Sequence, residues 1–373
     1  MTPPGYKLQA PRRLFLLGFA AAGLLAGCSH EQRSAPQPIG PGPNSRNSVA
    51  LLVPLTGEDA ALGLALANSA RLALSDMESP NISLTVFDTS EGGAASAASR
   101  AIAGGNRLIL GPLLSDQVRA AAPIARSARV PIIAFSNDES TAGGGTYLLG
   151  FVPGQAIDRV VGHARMAGAV RFAALVPDSL YGARVSQGLL SSARRVGGQL
   201  VAIERYSSTE TMRAAARRLA SRSDLHAVLL GGDGRSAASI APLFKLGVRL
   251  LGPDMWAGEN NLGRTPRLRG AWYSAPSDAR FGQFATRYRA RFRSSPPRLA
   301  SLGYDAMLLT IRAARGWTAG RRFPASALGE TEGFVGVDGI FRFNRLGVAQ
   351  RGLEVRQVTA AGASVVSPAP SSF

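Results

Sequence analysis

The chain has 373 residues, with 42 Lys and Arg against 24 Asp and Glu, 46% hydrophobic residues, one Cys and three His. That length suits two domains with proper cores, and a charged fraction of 18% excludes wholesale disorder and a polytopic membrane protein. One Cys excludes a disulfide framework, a cysteine zinc cluster and paired-thiol redox chemistry, and His30, His163 and His226 lie too far apart for a local metal motif.

Lys occurs only at Lys7 and Lys245, so Arg carries nearly all of the positive charge. The net charge of +18 reads as genome composition and a basic solvated surface. The sharper alternative is contact with anionic partners such as lipid headgroups or cell-wall polymers.

At the N-terminus, Lys7, Arg12 and Arg13 precede an apolar run over residues 14–26, the length of a signal peptide's core and short for a membrane span. The Arg pair is read as a plain basic flank rather than a twin-arginine signal. The run ends in Leu25-Ala26-Gly27-Cys28, which matches the bacterial lipobox. Residues 1–27 are therefore expected to be removed and Cys28 to carry the lipid anchor, with Ser29 after it as in lipoproteins sorted to the outer membrane. Residues 28–47 contain Pro36, Pro38, Gly40, Pro41, Gly42 and Pro43 without periodicity and read as a tether. Fully stretched, it spans roughly 60 Å at about 3.3 Å per residue.

From residue 48 short apolar runs alternate with amphipathic stretches. Strands are expected at 49–53, 83–87, 108–110, 131–135, 172–176, 200–204, 227–230, 249–251 and 271–274. Helices are expected at 62–77, 94–103, 117–128, 183–196 and 211–221. Such alternation implies parallel sheets covered on both faces, and the number of units favours two lobes over one sheet. Residues 278–316 turn helical, 335–343 and 353–358 read as late antiparallel strands, and the tail from 361 to 373 as frayed.

Phe281, Phe284, Tyr288 and Phe292 recur at helical spacing, with Arg287, Arg289, Arg291 and Arg293 between them. This reads as a core stripe with a solvated basic face, not a nucleic-acid surface. Catalytic motifs are missing: Lys245 is followed by Leu246, so no Walker A loop forms, and Gly-x-Ser-x-Gly, Ser-x-x-Lys and His-Glu-x-x-His do not occur. Gly232-Asp233-Gly234-Arg235-Ser236-Ala237 fits a dinucleotide fingerprint formally, but a strand-to-helix turn explains it as well. No enzymatic activity, cofactor or metal is expected.

Several motifs in order carry a resemblance. They are Pro54-Leu55-Thr56-Gly57 with Ala61-Leu62-Gly63, Leu108-Ile109-Leu110-Gly111-Pro112 leading to Ser115, and Val130-Pro131-Ile132-Ile133-Ala134. Asp178-Ser179-Leu180-Tyr181-Gly182, Leu251-Gly252-Pro253-Asp254 and Gly303-Tyr304-Asp305-Ala306 follow. Over residues 48–360 the chain resembles the type I periplasmic binding proteins of the leucine/isoleucine/valine-binding branch.

The resemblance implies an α/β fold of two doubly wound αβα lobes with a ligand cleft between them. Lobe 1 would comprise about 48–150 plus 277–332, and lobe 2 about 151–276 plus 333–360. It implies that Ser115 and Ser136 hold a ligand carboxylate, that Tyr181 covers the ligand, that Asp254 faces its ammonium, and that Asp233 lies at the rim. Asp138 falls where amino-acid binders place Thr, and an anion there repels a ligand carboxylate. Structural alternatives for the same positions are helix caps at Ser115 and Asp138, packing for Tyr181 and a turn at Asp254.

Residues 131–138 and 335–343 look most like the lipoproteins described as penicillin-binding protein activators, which dock onto a peptidoglycan synthase. The first expectation is therefore a non-enzymatic activator, lipid-anchored and facing the periplasm. The alternative is the receptor of an ABC importer, with a permease as partner and an amino-acid-like ligand. Nucleic acid is not expected as a partner.

Overall fold

The computed structural model describes residues 46–373. The expected signal peptide, Cys28 and the expected tether up to residue 45 lie outside the described residues. Residues Pro43–Phe373 form a compact unit by themselves, and no helix among the described residues is long and apolar enough to cross a membrane.

The first lobe begins β1 (Asn47–Val53), α1 (Ala60–Asp76), β2 (Ile82–Asp88), α2 (Gly93–Ala103), β3 (Leu108–Leu110), α3 (Ser115–Ala128), β4 (Ile132–Ala134) and β5 (Thr146–Leu148). Its five strands are parallel in the order β2-β1-β3-β4-β5. Alternation along β1 shows why the sheet is covered twice. Val49, Leu51 and Val53 enter one core with Leu66 of α1, while Ala50 and Leu52 enter another with Ala97 of α2 and Val118 of α3.

The second lobe runs α4 (Pro153–Met166), β6 (Arg171–Pro177), α5 (Leu180–Arg195), β7 (Gln199–Tyr206), α6 (Thr209–Ala220), β8 (Ala227–Leu230), α7 (Gly234–Ile240), β9 (Arg249–Gly252) and β10 (Trp272–Ala275). The chain then returns to the first lobe as α8 (Asp278–Phe292) and α9 (Ser301–Ala313). Phe284 and Tyr288 of the aromatic stripe join the same core as Leu66, so the stripe packs inward as its spacing predicts. Next come β11 (Phe334–Gly336), β12 (Gly339–Phe343) and β13 (Ala349–Arg351), and finally β14 (Glu354–Thr359) and β15 (Gly362–Ser367).

The second sheet has the order β15-β14-β10-β9-β8-β6-β7, antiparallel only at β14 and β15. Leaving those two aside, both sheets share one winding pattern. Each reverses direction beside its first strand, at β1/β3 and at β6/β8, and such a reversal opens a crevice at the strands' carboxyl ends.

Three expectations are corrected. Residues 334–351 do not belong to lobe 2. They form a separate three-stranded sheet whose Phe334, Phe341 and Phe343 share the Leu66 core of lobe 1. The tail is not frayed up to residue 367. β15 pairs with β14, and Arg159 of α4 donates to Ser367 Oγ at 2.7 Å and to the Pro368 carbonyl at 2.9 Å. Asn47, assigned to the tether, is the first residue of β1 and is buried.

Both lobes open with the same close approach. Gly63 of α1 lies under the Pro54 carbonyl and Gly182 of α5 under the Pro177 carbonyl, where an added Cβ would fall 1.7 and 1.8 Å from the oxygen. Only Gly lets each helix start this near its strand. Gly63→Ala and Gly182→Ala are each expected to destabilise by at least about 2 kcal/mol, read as a lower urea midpoint. An unchanged midpoint would contradict the packing described.

Candidate functional site

The chain crosses between lobes three times: after β5, after β10 and between β13 and β14. Arginines hold all three crossings. Arg351 donates to the Leu149 carbonyl and stacks 4.5 Å from the Phe151 ring. Arg356 donates to the Pro276 carbonyl at 2.8 Å and pairs with Asp278 and Glu354. Arg298 bonds the Ser277 carbonyl and the fully buried Asp338. The carboxyl ends of both parallel sheets carry the loops expected to form the site.

In lobe 1 Ser115 is the first residue of α3, with Leu114 as the cap, so Ser115 is not itself a helix cap. Ser136 is buried after β4, and its Oγ accepts the Asp138 amide at 3.2 Å. Asp138 caps a short 3-10 helix, accepting from the Ser140 amide at 3.2 Å and from Ser140 Oγ at 2.8 Å.

It does more than cap. Arg119 of α3 pairs with its Oδ2, and Arg184 of α5, from the other lobe, reaches the same oxygen at 2.8 Å while donating to Asn137 Oδ1 at 3.0 Å. Burial opposes ionisation of Asp138. The Ser140 hydroxyl, Arg184, the Ser140 amide and Arg119 outweigh it and hold the carboxyl below the usual carboxylate range.

In lobe 2 Tyr181, Tyr206, Asp233 and Asp254 stand at the ends of successive strands. Asp233 caps α7 by accepting the Ser236 amide at 2.7 Å. The formal dinucleotide fingerprint is thus the strand-to-helix turn, opening a helix of seven residues. The Tyr181 hydroxyl is enclosed without a hydrogen-bond partner among the described residues, and burial, then the charges of Asp254 and Tyr206, push its pKa up.

Asp254 begins a 3-10 helix, and its carboxyl accepts from the Asp254 and Met255 amides. It has no cationic partner among the described residues, and burial pushes its pKa up to about 6. Part of the residue's surface reaches solvent although its carboxyl is crowded by protein.

A cavity of about 850 Å³ opens between the lobes, lined by residues 137–140, Arg351 and Gln350 on one side and by Gln155, Arg159 and Arg184 on the other. Of the six predicted cleft residues only Asp138 lines it. Arg119, Arg184 and Tyr206 were not foreseen. Nothing distinguishes two arginines among so many in the sequence, and Tyr206 ends a strand whose loop carried no motif.

The chain matches the periplasmic binding protein family over residues 48–363. It belongs to that family. Among solved structures, a leucine-binding protein from Thermotoga maritima is 22% identical, covering 87% of this chain and 98% of its own, with a TM-score of 0.62. A branched-chain amino acid transporter substrate-binding protein from Streptococcus pneumoniae, in complex with isoleucine, is 20% identical over 87% and 100%, with a TM-score of 0.62. A solute-binding protein of an ABC transporter from R. palustris, in complex with benzoate, is 19% identical over 88% and 97%, with a TM-score of 0.65. At these identities the likeness is one of fold, and it bears out the two-lobed type I architecture. No curated protein matches the chain.

The raised pKa of Asp254 means that the fold binds this proton more tightly than the unfolded chain does. Its contribution therefore favours the fold in acid and is lost as pH rises through about 6. Asp254→Asn is expected to stabilise by roughly 1–3 kcal/mol at pH 7.5 and to change little at pH 4, in thermal unfolding. A loss of stability at pH 7.5 would contradict an unpaired, crowded carboxylate.

Proposed function

We propose that this chain is a non-enzymatic binding protein that presents an amino-acid-like small ligand to an ABC importer, anchored to the cell envelope through Cys28. The observation that carries this reading is the enclosed, cation-free carboxyl of Asp254, which faces the end of the second sheet beside the unpartnered Tyr181 hydroxyl. A ligand ammonium supplies the missing cation, and its charge draws the Asp254 pKa back down.

On lobe 1, Ser115 and Ser136 offer hydroxyls, and Arg119 and Asp138, with Arg184 reaching across from lobe 2, together carry one net positive charge. The ligand's anionic end meets this triad, with Arg184 shared between it and Asp138. Asp233 stays at the rim as a helix cap. Closure buries the ligand by rotating the lobes about the three crossings. Family membership and the transport proteins among the structural relatives support the transport setting.

A second reading is favoured by Asp138 itself. Its ion pair to Arg184 joins the lobes through the protein's own side chains, as a protein that serves as a docking body would require. This keeps the penicillin-binding protein activator, with a peptidoglycan synthase as partner and an outer-membrane anchor, as the rival.

Thermal unfolding of residues 43–373 with amino acids, aromatic carboxylates and peptidoglycan fragments separates the two. A ligand at about 100 times its Kd adds about 2.7 kcal/mol and raises Tm by several degrees. The importer reading expects such a shift with an amine-bearing ligand, weakening as pH falls through about 6 and Asp254 takes up its proton. No shift across the panel would overturn it and leave the activator.

A further inference from the structure

A second charged feature lies at the opposite edge of lobe 1. Arg107, Arg129, Arg321 and Arg322 line a concavity of about 320 Å³ together with Ala128, Val130 and Gly320, and no carboxylate lines it. Elsewhere arginines take nearby acids, as Arg218 does with Glu204 and Arg312 with Glu330. These four make no side-chain hydrogen bond or ion pair among the described residues.

Three of these guanidinium-bearing residues, Arg129, Arg321 and Arg322, are exposed, so the concavity offers positive charge to solvent with no acid among its lining residues. Arg129 adds backbone strain, because it follows α3 at φ +55°, a conformation that favours Gly. The carbonyl end of α3 accounts for one cation here, but not for Arg107, Arg321 and Arg322.

The place of this site in the fold is fixed by short contacts. The Arg107 amide donates to the Ser48 carbonyl at the start of β1. Asn47 Nδ2 donates to the Trp317 carbonyl at 2.9 Å, and Trp317 Nε1 donates to the Arg321 carbonyl at 2.9 Å. The loop bearing Arg321 and Arg322 is thereby clamped onto the residue where the chain enters the fold, with exposed Arg46 just ahead of it. The parallel strands begin at this edge and carry the cleft at their other end, so an occupant here leaves the cleft free.

We propose that this arginine concavity binds the phosphate headgroups of an anionic bilayer, so that lobe 1 rests its strand-entry edge on the membrane. Charge complementarity identifies the chemistry, and the entry of the chain at Asn47, downstream of the lipobox at Cys28, identifies the surface. The proposal rests on the lipid anchor at Cys28 proposed above and not on what the cleft binds.

The test is cosedimentation of residues 43–373 with phosphatidylglycerol–phosphatidylcholine vesicles and with pure phosphatidylcholine vesicles. Wild type should bind the anionic vesicles and not the zwitterionic ones, and salt should weaken the binding. Arg321→Gln with Arg322→Gln should weaken it roughly 25-fold, at about fivefold per arginine. Arg129→Gly should weaken it about fivefold without lowering Tm, since Gly suits the backbone there.

Arg213→Gln with Arg217→Gln on α6 removes equal net charge far from the site and should bind nearly as wild type does. Equal loss in this control, equal binding to both vesicle types, or full binding by the two site variants would overturn the proposal. So would saturable displacement by low concentrations of inorganic phosphate, which would mark a soluble anion as the ligand.

Discussion

One carboxylate, Asp138, sets the terms on which the two lobes meet. It is nearly buried in lobe 1, yet one of its two guanidinium partners, Arg184, belongs to lobe 2. Removing Asp138 leaves Arg184 without its acid, whereas removing Arg184 leaves Asp138 paired with Arg119 alone and the lobes without this link. The crossings supply the complementary constraint. Arg298 ties the connecting segments to the buried Asp338, Arg356 to Glu354 and the exposed Asp278, and Arg351 to the Leu149 carbonyl, so rotation is confined to a few residues between two stiff αβα bodies. Two αβα lobes, a narrow hinge and a cross-cleft ion pair are the parts on which the proposed ligand would act.

Much of the architecture was legible because the physics is local. Buried parallel strands such as residues 227–230 read as unbroken apolar runs, and helices such as α6 show one apolar face. Elements escaped where that signal is short or one-sided. β5 has three residues after a glycine run, and β15 is an edge strand with its outer side chains in solvent. The three-stranded sheet of residues 334–351 went to the wrong lobe because strand pattern says nothing about which core a strand joins.

At the site, residue type and order pointed to the right loops but not to their partners. Asp138 was marked as an anion in an unexpected place, and the structure explains its tolerance through Arg119 and Arg184. No spacing rule brings residues 119, 138 and 184 together, since the encounter depends on the angle between two lobes. Asp233 turned out to cap a helix, while Tyr181 and Asp254 share an environment that sequence order could only hint at. The fold thus has two ends of opposed chemistry: a cleft end where Asp138 is matched across the lobes and Asp254 lacks a cation, and an entry edge where arginines lack acids.

The cross-cleft ion pair is open to direct measurement. Cys28 is the chain's one cysteine, so residues 43–373 carry no thiol, and spin labels at Glu91→Cys and Ser207→Cys report a single interlobe distance. Wild type without ligand should give a narrow distribution, and Asp138→Asn a broader and longer one, as the hinge opens. Identical distributions in both would contradict the claim that Asp138 holds the lobes together.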